Sequence, residues 1–143
     1  MTEPAAPPPM KRLLETALYV ADLETSRRFY VQQLGTGVLL DTERLLALDI
    51  GGASVLLLFA HGTTEHALPT PGGLVPGHGA HGRQHIAFAI DSQRLDAWRV
   101  HLAGAGIAIE SEVEWPRGGR SLYMRDPDGH SVELVTPGLW ATY

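Results

Sequence analysis

Ala17-Leu18-Tyr19-Val20, leading through a helix-like stretch to Gly35-Thr36-Gly37-Val38, is written again as Ala87-Phe88-Ala89-Ile90, leading through another to Gly104-Ala105-Gly106-Ile107. Further on, Gly52-Ala53-Ser54-Val55-Leu56-Leu57 is echoed by Gly129-His130-Ser131-Val132-Glu133-Leu134. A duplicated module builds a pseudo-symmetric cleft in which residues at corresponding places meet. Those places are Glu15 with His85, and Leu56 with Glu133. Glu15, His85 and Glu133 carry groups that bind metal ions.

Working outward from the repeat, each copy reads as β-α-β-β-β. In the first, Leu13 to Val20 is a strand, and Asp22 is the N-cap of a helix with Glu24 in its first turn. Leu23, Ser26, Tyr30 and Leu34 then share one helical stripe, with Phe29 beside it, and Gly35 closes the helix. Strands over 36–41, 45–50 and 53–60 follow, with Gly51-Gly52 as the turn before the last. In the second copy, His85–Ile90 is a strand, and Asp91 or Ser92 caps a helix that turns Leu95, Trp98 and Leu102 inward. Strands over 107–113, 121–125 and 131–135 complete it, the last turn being Pro127-Asp128-Gly129.

The expected fold class is therefore α+β: two βαβββ modules, 13–60 and 84–136, in a single domain spanning 13–136. Residues 61–83, rich in Gly, Pro and His, form a long connection that is either a linker or a flap over a site. Residues 1–12 are expected to be a disordered Pro-rich arm, and 137–143 a tail in which Trp140 and Tyr143 anchor on a neighbouring surface.

Composition excludes several classes. A hydrophobic fraction of 44% with 19% charged residues is that of a soluble globular chain. A net charge of −5 argues against an electrostatic nucleic-acid binder. The longest unbroken apolar run, Val55 to Ala60, is too short to cross a bilayer, and no signal pattern opens the chain, so a cytoplasmic location is expected. With no cysteine there is no disulfide, no thiolate nucleophile and no Cys-ligated metal.

Strand parity brings the chemistry together. Side chains two apart share a face. Ile86, Phe88 and Ile90 form the bulky face under the helix, while His85, Ala87 and Ala89 face away, the alanines leaving room in front of His85. Glu15 shares its face with Ala17 and Tyr19, and Glu133 with Ser131 and Val135. Two carboxylates and an imidazole in one cleft repel or trap a proton unless a cation joins them. Oxygen and nitrogen ligands without thiolate suit Mn²⁺, Mg²⁺, Fe²⁺, Ni²⁺ or Zn²⁺. Three protein ligands leave positions open for substrate, with Leu56 as an apolar, substrate-facing wall. His61, His66, His78 and His81 have no ligand spacing and read as solvated, His61 being the one placed to reach the cleft.

At these residues the chain resembles the vicinal oxygen chelate superfamily, which includes glyoxalase I, extradiol dioxygenases, fosfomycin-resistance transferases and bleomycin-resistance proteins. The resemblance runs from Tyr19-Val20-Ala21-Asp22-Leu23-Glu24-Thr25-Ser26-Arg27-Arg28-Phe29-Tyr30, through His85-Ile86-Ala87-Phe88-Ala89-Ile90, to Leu122-Tyr123-Met124-Arg125-Asp126-Pro127-Asp128-Gly129-His130-Ser131-Val132-Glu133-Leu134. It implies a U-shaped mixed sheet with helices outside, wrapped around one divalent metal held by Glu15, His85 and Glu133. It implies that Glu133 or Glu15 can leave the ion and act as base, and that Tyr123 contacts substrate, its hydroxyl serving as donor or acid. It also implies a homodimer with sites shared between subunits, Glu15 coming from one chain and His85 with Glu133 from the other.

The first-strand ligand of the family is usually His or Gln, and glyoxalase I has a carboxylate where Leu56 is expected to stand. These departures tell against lactoylglutathione lyase and leave lyase, isomerase, transferase and ring-cleaving chemistry as the expected range. The alternative is a metal-free protein of the bleomycin-resistance type that sequesters a small molecule.

Overall fold

The computed structural model describes residues 1–143. The first module contains β1 (Glu15–Val20), α1 (Leu23–Arg27), β2 (Gly37–Asp41), β3 (Leu45–Ile50) and β4 (Ser54–Ala60). A short hairpin follows, β5 (Leu68–Thr70) with β6 (Gly73–Val75), within the connection expected to be loop. The second module contains β7 (His85–Ala89), a 3₁₀ turn over Ser92–Arg94, α2 (Leu95–Gly104), β8 (Ser111–Glu114), β9 (Arg120–Arg125) and β10 (Ser131–Val135). The α+β class and the paired βαβββ order are those read from the sequence.

Each module forms its own four-stranded mixed sheet, ordered β1-β4-β3-β2 and β7-β10-β9-β8. In both, the first strand lies parallel to the last and the other pairs are antiparallel. Within one chain no strand ladder joins the two sheets. On the free edge of β1, the Tyr19 amide donates to Gln84 Oε1 at 3.2 Å and its carbonyl accepts from His130 Nε2 at 2.8 Å. Side chains therefore occupy the groups that a neighbouring strand would need.

Pairing register assigns the faces. Leu18, Val20, Leu46, Leu48, Leu56 and Leu58 of the first sheet are buried in one apolar cluster with Leu122, Met124, Val132 and Leu134 of the second. Phe29, Tyr30, Leu95 and Leu102 of the helical segments join the same cluster. Burying each such side chain contributes about 1.5–3 kcal/mol. The helices thus cover the sheet faces opposite to the one that carries His85 and Glu133.

The first helix departs from a regular 3.6-residue stripe. Asp22 caps it as expected, accepting from the Thr25 amide at 3.2 Å. After Arg27 the turns widen to a π-helix over Arg28–Gln33, with the Leu34 amide bonding Phe29 O at 2.9 Å. The wider turn lets the adjacent Phe29 and Tyr30 both face the core, which a regular helix does less well. In the second module α2 begins only at Leu95, because the 3₁₀ turn intervenes after Asp91. The strand expected from Ile107 starts at Ser111.

Candidate active site

His85 opens β7 at a sheet edge, and Glu133 lies two places beyond its partner Ser131 on the neighbouring β10. Alternation puts both on the same face, together with Tyr123, which pairs directly with Glu133 across β9 and β10. Glu133 is buried, its side chain 4% exposed, whereas that of His85 is 54% exposed. A buried carboxylate requires compensation. Here His85 Nε2 lies 3.3 Å from Glu133 Oε1, and Ser121 Oγ donates to Glu133 Oε2 at 2.5 Å.

The tautomer of His85 follows from its other contact. Nδ1 lies 3.0 Å from the Ser131 carbonyl oxygen. A carbonyl only accepts, so Nδ1 carries a proton and the ring is turned with Nε2 toward Glu133 Oε1. The contact between Nε2 and Oε1 is satisfied either by a proton on Nε2 or by a metal ion that both atoms ligate. An imidazole oriented by a backbone carbonyl, next to an oriented carboxylate, is a donor set suited to a divalent metal.

Tyr123 stacks beside the pair, its ring centroid 6.3 Å from that of His85 at an interplanar angle of 27°. Burial, and then the negative charge of Glu133, hold its phenol above the ordinary tyrosine value. The hydroxyl is therefore a proton-bearing donor at neutral pH.

Glu15 does not reach this group within one chain. Tyr19, at the far end of β1, bonds Gln84 next to His85. Glu15 instead borders a cavity of about 410 Å³ lined by Ile86, Ala87, Phe88 and Ala89. The first strands of the two modules thus lie side by side in opposite directions. Four residues of strand, roughly 13 Å, separate Glu15 from the Tyr19 end.

The expected correspondence of Leu56 with Glu133 is corrected by the register. Glu15 pairs with Val55 and Ala17 with Leu57, just as His85 pairs with Ser131 and Ala87 with Glu133. The residue equivalent to Glu133 is Leu57. Leu56 matches Val132, and both are buried on the helix-side face. Aligning the glycines of the two hairpin turns introduced a shift of one, which moves a strand residue to the opposite face.

Asp126, Asp128 and His130 bring ligand-type atoms within 4.8 Å of one another. Their hydrogen bonds assign them a different task. Asp126 accepts from the Tyr30 hydroxyl at 2.7 Å and from the amides of Asp128 and His130. Asp128 accepts from the Ala21 amide, and His130 accepts from the Gln84 amide at Nδ1 while Nε2 donates to Tyr19 O. Both nitrogens of His130 are engaged, so this turn rivets module to module.

In the connection, His78 rather than His61 meets the sheet. It lies 2.5 Å from the Tyr19 hydroxyl and packs edge-on to Phe59, while His61 stacks on His81. The sequence reading missed Ser121, although it shares strand parity with Tyr123, and missed Trp115, whose Nε1 donates to Ser121 Oγ at 2.8 Å. Trp115 continues the alternation of Ser111 and Val113 one pair beyond β8, its amide bonding Gly119 O at 2.8 Å, whereas the strand expected from the sequence ends at Val113.

The profile of the Glyoxalase/Bleomycin resistance protein/Dioxygenase superfamily matches residues 12–134. The chain is 29% identical over 136 residues to a probable lactoylglutathione lyase of Vibrio parahaemolyticus, covering 87% of this chain and 89% of that protein. It is 30% identical over 118 residues to metallothiol transferase FosB of Staphylococcus epidermidis, covering 82% of this chain and 75% of that protein. Among solved structures, lactoylglutathione lyase from Agrobacterium tumefaciens has a TM-score of 0.84 at 33% identity, covering 94% of this chain and 99% of that one.

Proposed function

The chain belongs to the Glyoxalase/Bleomycin resistance protein/Dioxygenase superfamily, and from that premise we propose that it is a divalent-metal-dependent enzyme acting on a small, oxygen-chelating substrate. His85 and Glu133 of one chain and Glu15 of a second are the proposed ligands. The observation that carries the reading is the convergence of two potential ligand atoms, His85 Nε2 and the oriented, buried Glu133 Oε1, 3.3 Å apart. The names of the relatives support a lyase or a thiol transferase. Lactoylglutathione lyase activity, against which the apolar counterpart of Glu133 tells, stays within that range.

A bound divalent ion would polarise a substrate oxygen as a Lewis acid. The remaining work belongs to the side chains. The Tyr123 hydroxyl donates a hydrogen bond to a substrate oxygen on which negative charge develops. Glu133 accepts a proton at Oε1 when that oxygen is free. Ala87 and Ala89, exposed on the same face as His85, leave room for the substrate beside the ring.

A dimer that shares its sites is supported by two observations. Glu15 stands apart from His85 within the chain, and the adjoining Leu13 and Leu14 are exposed apolar residues.

Metal analysis of protein purified without chelator or nickel resin tests the reading. We expect about one ion per chain, lost in Glu133→Ala and in His85→Ala. Wild-type protein without an ion, and with a stability unaffected by chelator, would overturn the metal reading.

A further inference from the structure

We infer that Ser121 and Trp115 are positioning residues that divide the labour of the two Glu133 oxygens, a role that rests on the metal reading above. Ser121 lies on β9 diagonal to Glu133, on the same sheet face. Its side chain is buried, and the residue is 1% exposed. The indole N–H of Trp115 can only donate, and it donates to Ser121 Oγ at 2.8 Å. A carboxylate can only accept, so the Ser121 proton is directed to Glu133 Oε2, 2.5 Å away. The chain of hydrogen bonds therefore has one permitted direction, from Trp115 through Ser121 to Glu133.

Pinning Oε2 stops the carboxylate from rotating and leaves Oε1 as the oxygen presented to His85 Nε2. A ligand held this way loses little freedom when it binds an ion.

Trp115 is itself held by an independent part of the chain. Its amide bonds Gly119 O at 2.8 Å, and the Gly119 amide bonds Gly138 O at 3.2 Å. A Cβ on Gly119 would lie 2.7 Å from the Gly138 carbonyl carbon, and one on Gly138, at φ +108°, would lie 2.5 Å from the Gly119 nitrogen. The segment after β10 is in turn fastened by the Tyr143 hydroxyl, which donates to Ile90 O at 2.9 Å. Residues 137–143 thus brace the loop that carries Trp115.

Cobalt(II) titration followed by visible absorption reads ligand geometry without any assay of activity. Ser121→Ala should weaken Co²⁺ binding about tenfold and alter the absorption bands, while Ser121→Thr should return affinity to within about twofold of wild type. Trp115→Phe, which keeps an aromatic ring but removes the donor, should weaken binding in the same direction. It carries the test alone if Ser121→Ala does not fold. Wild-type affinity and spectrum in both Ser121→Ala and Trp115→Phe would overturn the positioning role and leave the metal site standing. Wild-type protein that takes up no Co²⁺ would overturn the metal reading and this role together.

Discussion

At the scale of single residues, the turn after β9 bears a greater load than its composition suggests. Asp residues in a Pro-Asp-Gly turn are expected to make local bonds, and Asp126 does so. It also takes the buried Tyr30 hydroxyl from the other module. Burial, with the Asp126 charge beside it, pushes the Tyr30 phenol well above its ordinary value, so it remains a donor across the working pH range. A hydrogen bond to a charged acceptor contributes about 1.5–3 kcal/mol. Tyr30→Phe should lower unfolding stability by about that amount in urea titration, without altering metal content; an unchanged midpoint would contradict the bond. That His85 and Glu133 share a face was legible because alternation along strands is a strict rule, whereas Tyr123 was reached through the family resemblance. Leu56 was misplaced because the equivalence was taken from glycines in turns, and turns vary where paired strands do not. Leu57 takes the place equivalent to Glu133 once the register is known.

At the scale of elements, most strands were read nearly to their ends, β8 was begun four residues early, and the irregular pieces were not read. The π-helix over Arg28–Gln33 leaves no trace in a stripe of apolar residues, since Phe29 and Tyr30 fit either helix near the core. The β5–β6 hairpin is three residues on each side, short of any alternation signal. Charge pairs link the second sheet to its surroundings. Arg99 on α2 bonds both oxygens of Glu112 on β8, and Arg125 on β9 bonds Glu110. These arginines hold the Glu112 and Glu110 carboxyls below the ordinary glutamate value. A depressed folded value contributes stability above the unfolded pKa, about 4.3, and that stability is lost as pH falls through the folded one. The double variant Glu110→Gln/Glu112→Gln should therefore differ slightly from wild type at neutral pH and converge with it in acid. A difference that persists below pH ~3 would assign it to packing instead.

At the scale of the molecule, the two sheets meet in one chain with their first strands antiparallel, and Glu15 lies at the end remote from His85. The repeat disclosed that two modules exist. It could not disclose how they face each other, because that depends on contacts such as Tyr19 with Gln84 and His130, about which strand patterns are silent. Sharing of sites predicts a specific complementation. Chains carrying Glu15→Ala and chains carrying Glu133→Ala should each form homodimers without a complete site. Their heterodimer should assemble one intact site and bind about one ion per dimer, half the wild-type content. Heterodimers as empty as the parents would place all the ligands in one chain. No helix is long and apolar enough to cross a membrane.

The riveting turn also has a consequence in time. Its bonds to the first module close loops of 96 residues at Tyr30, 107 at Ala21 and 111 at Tyr19. Contacts of such separation form late and slow a folding reaction. On the ribosome the first sheet emerges long before residues 126–130 exist to dock on it. Until then the Tyr19 carbonyl and the Tyr30 hydroxyl have no partner from this turn. Docking of the second module on the first through this turn is therefore a closing event of synthesis, and until it happens the first module presents that docking face unfilled.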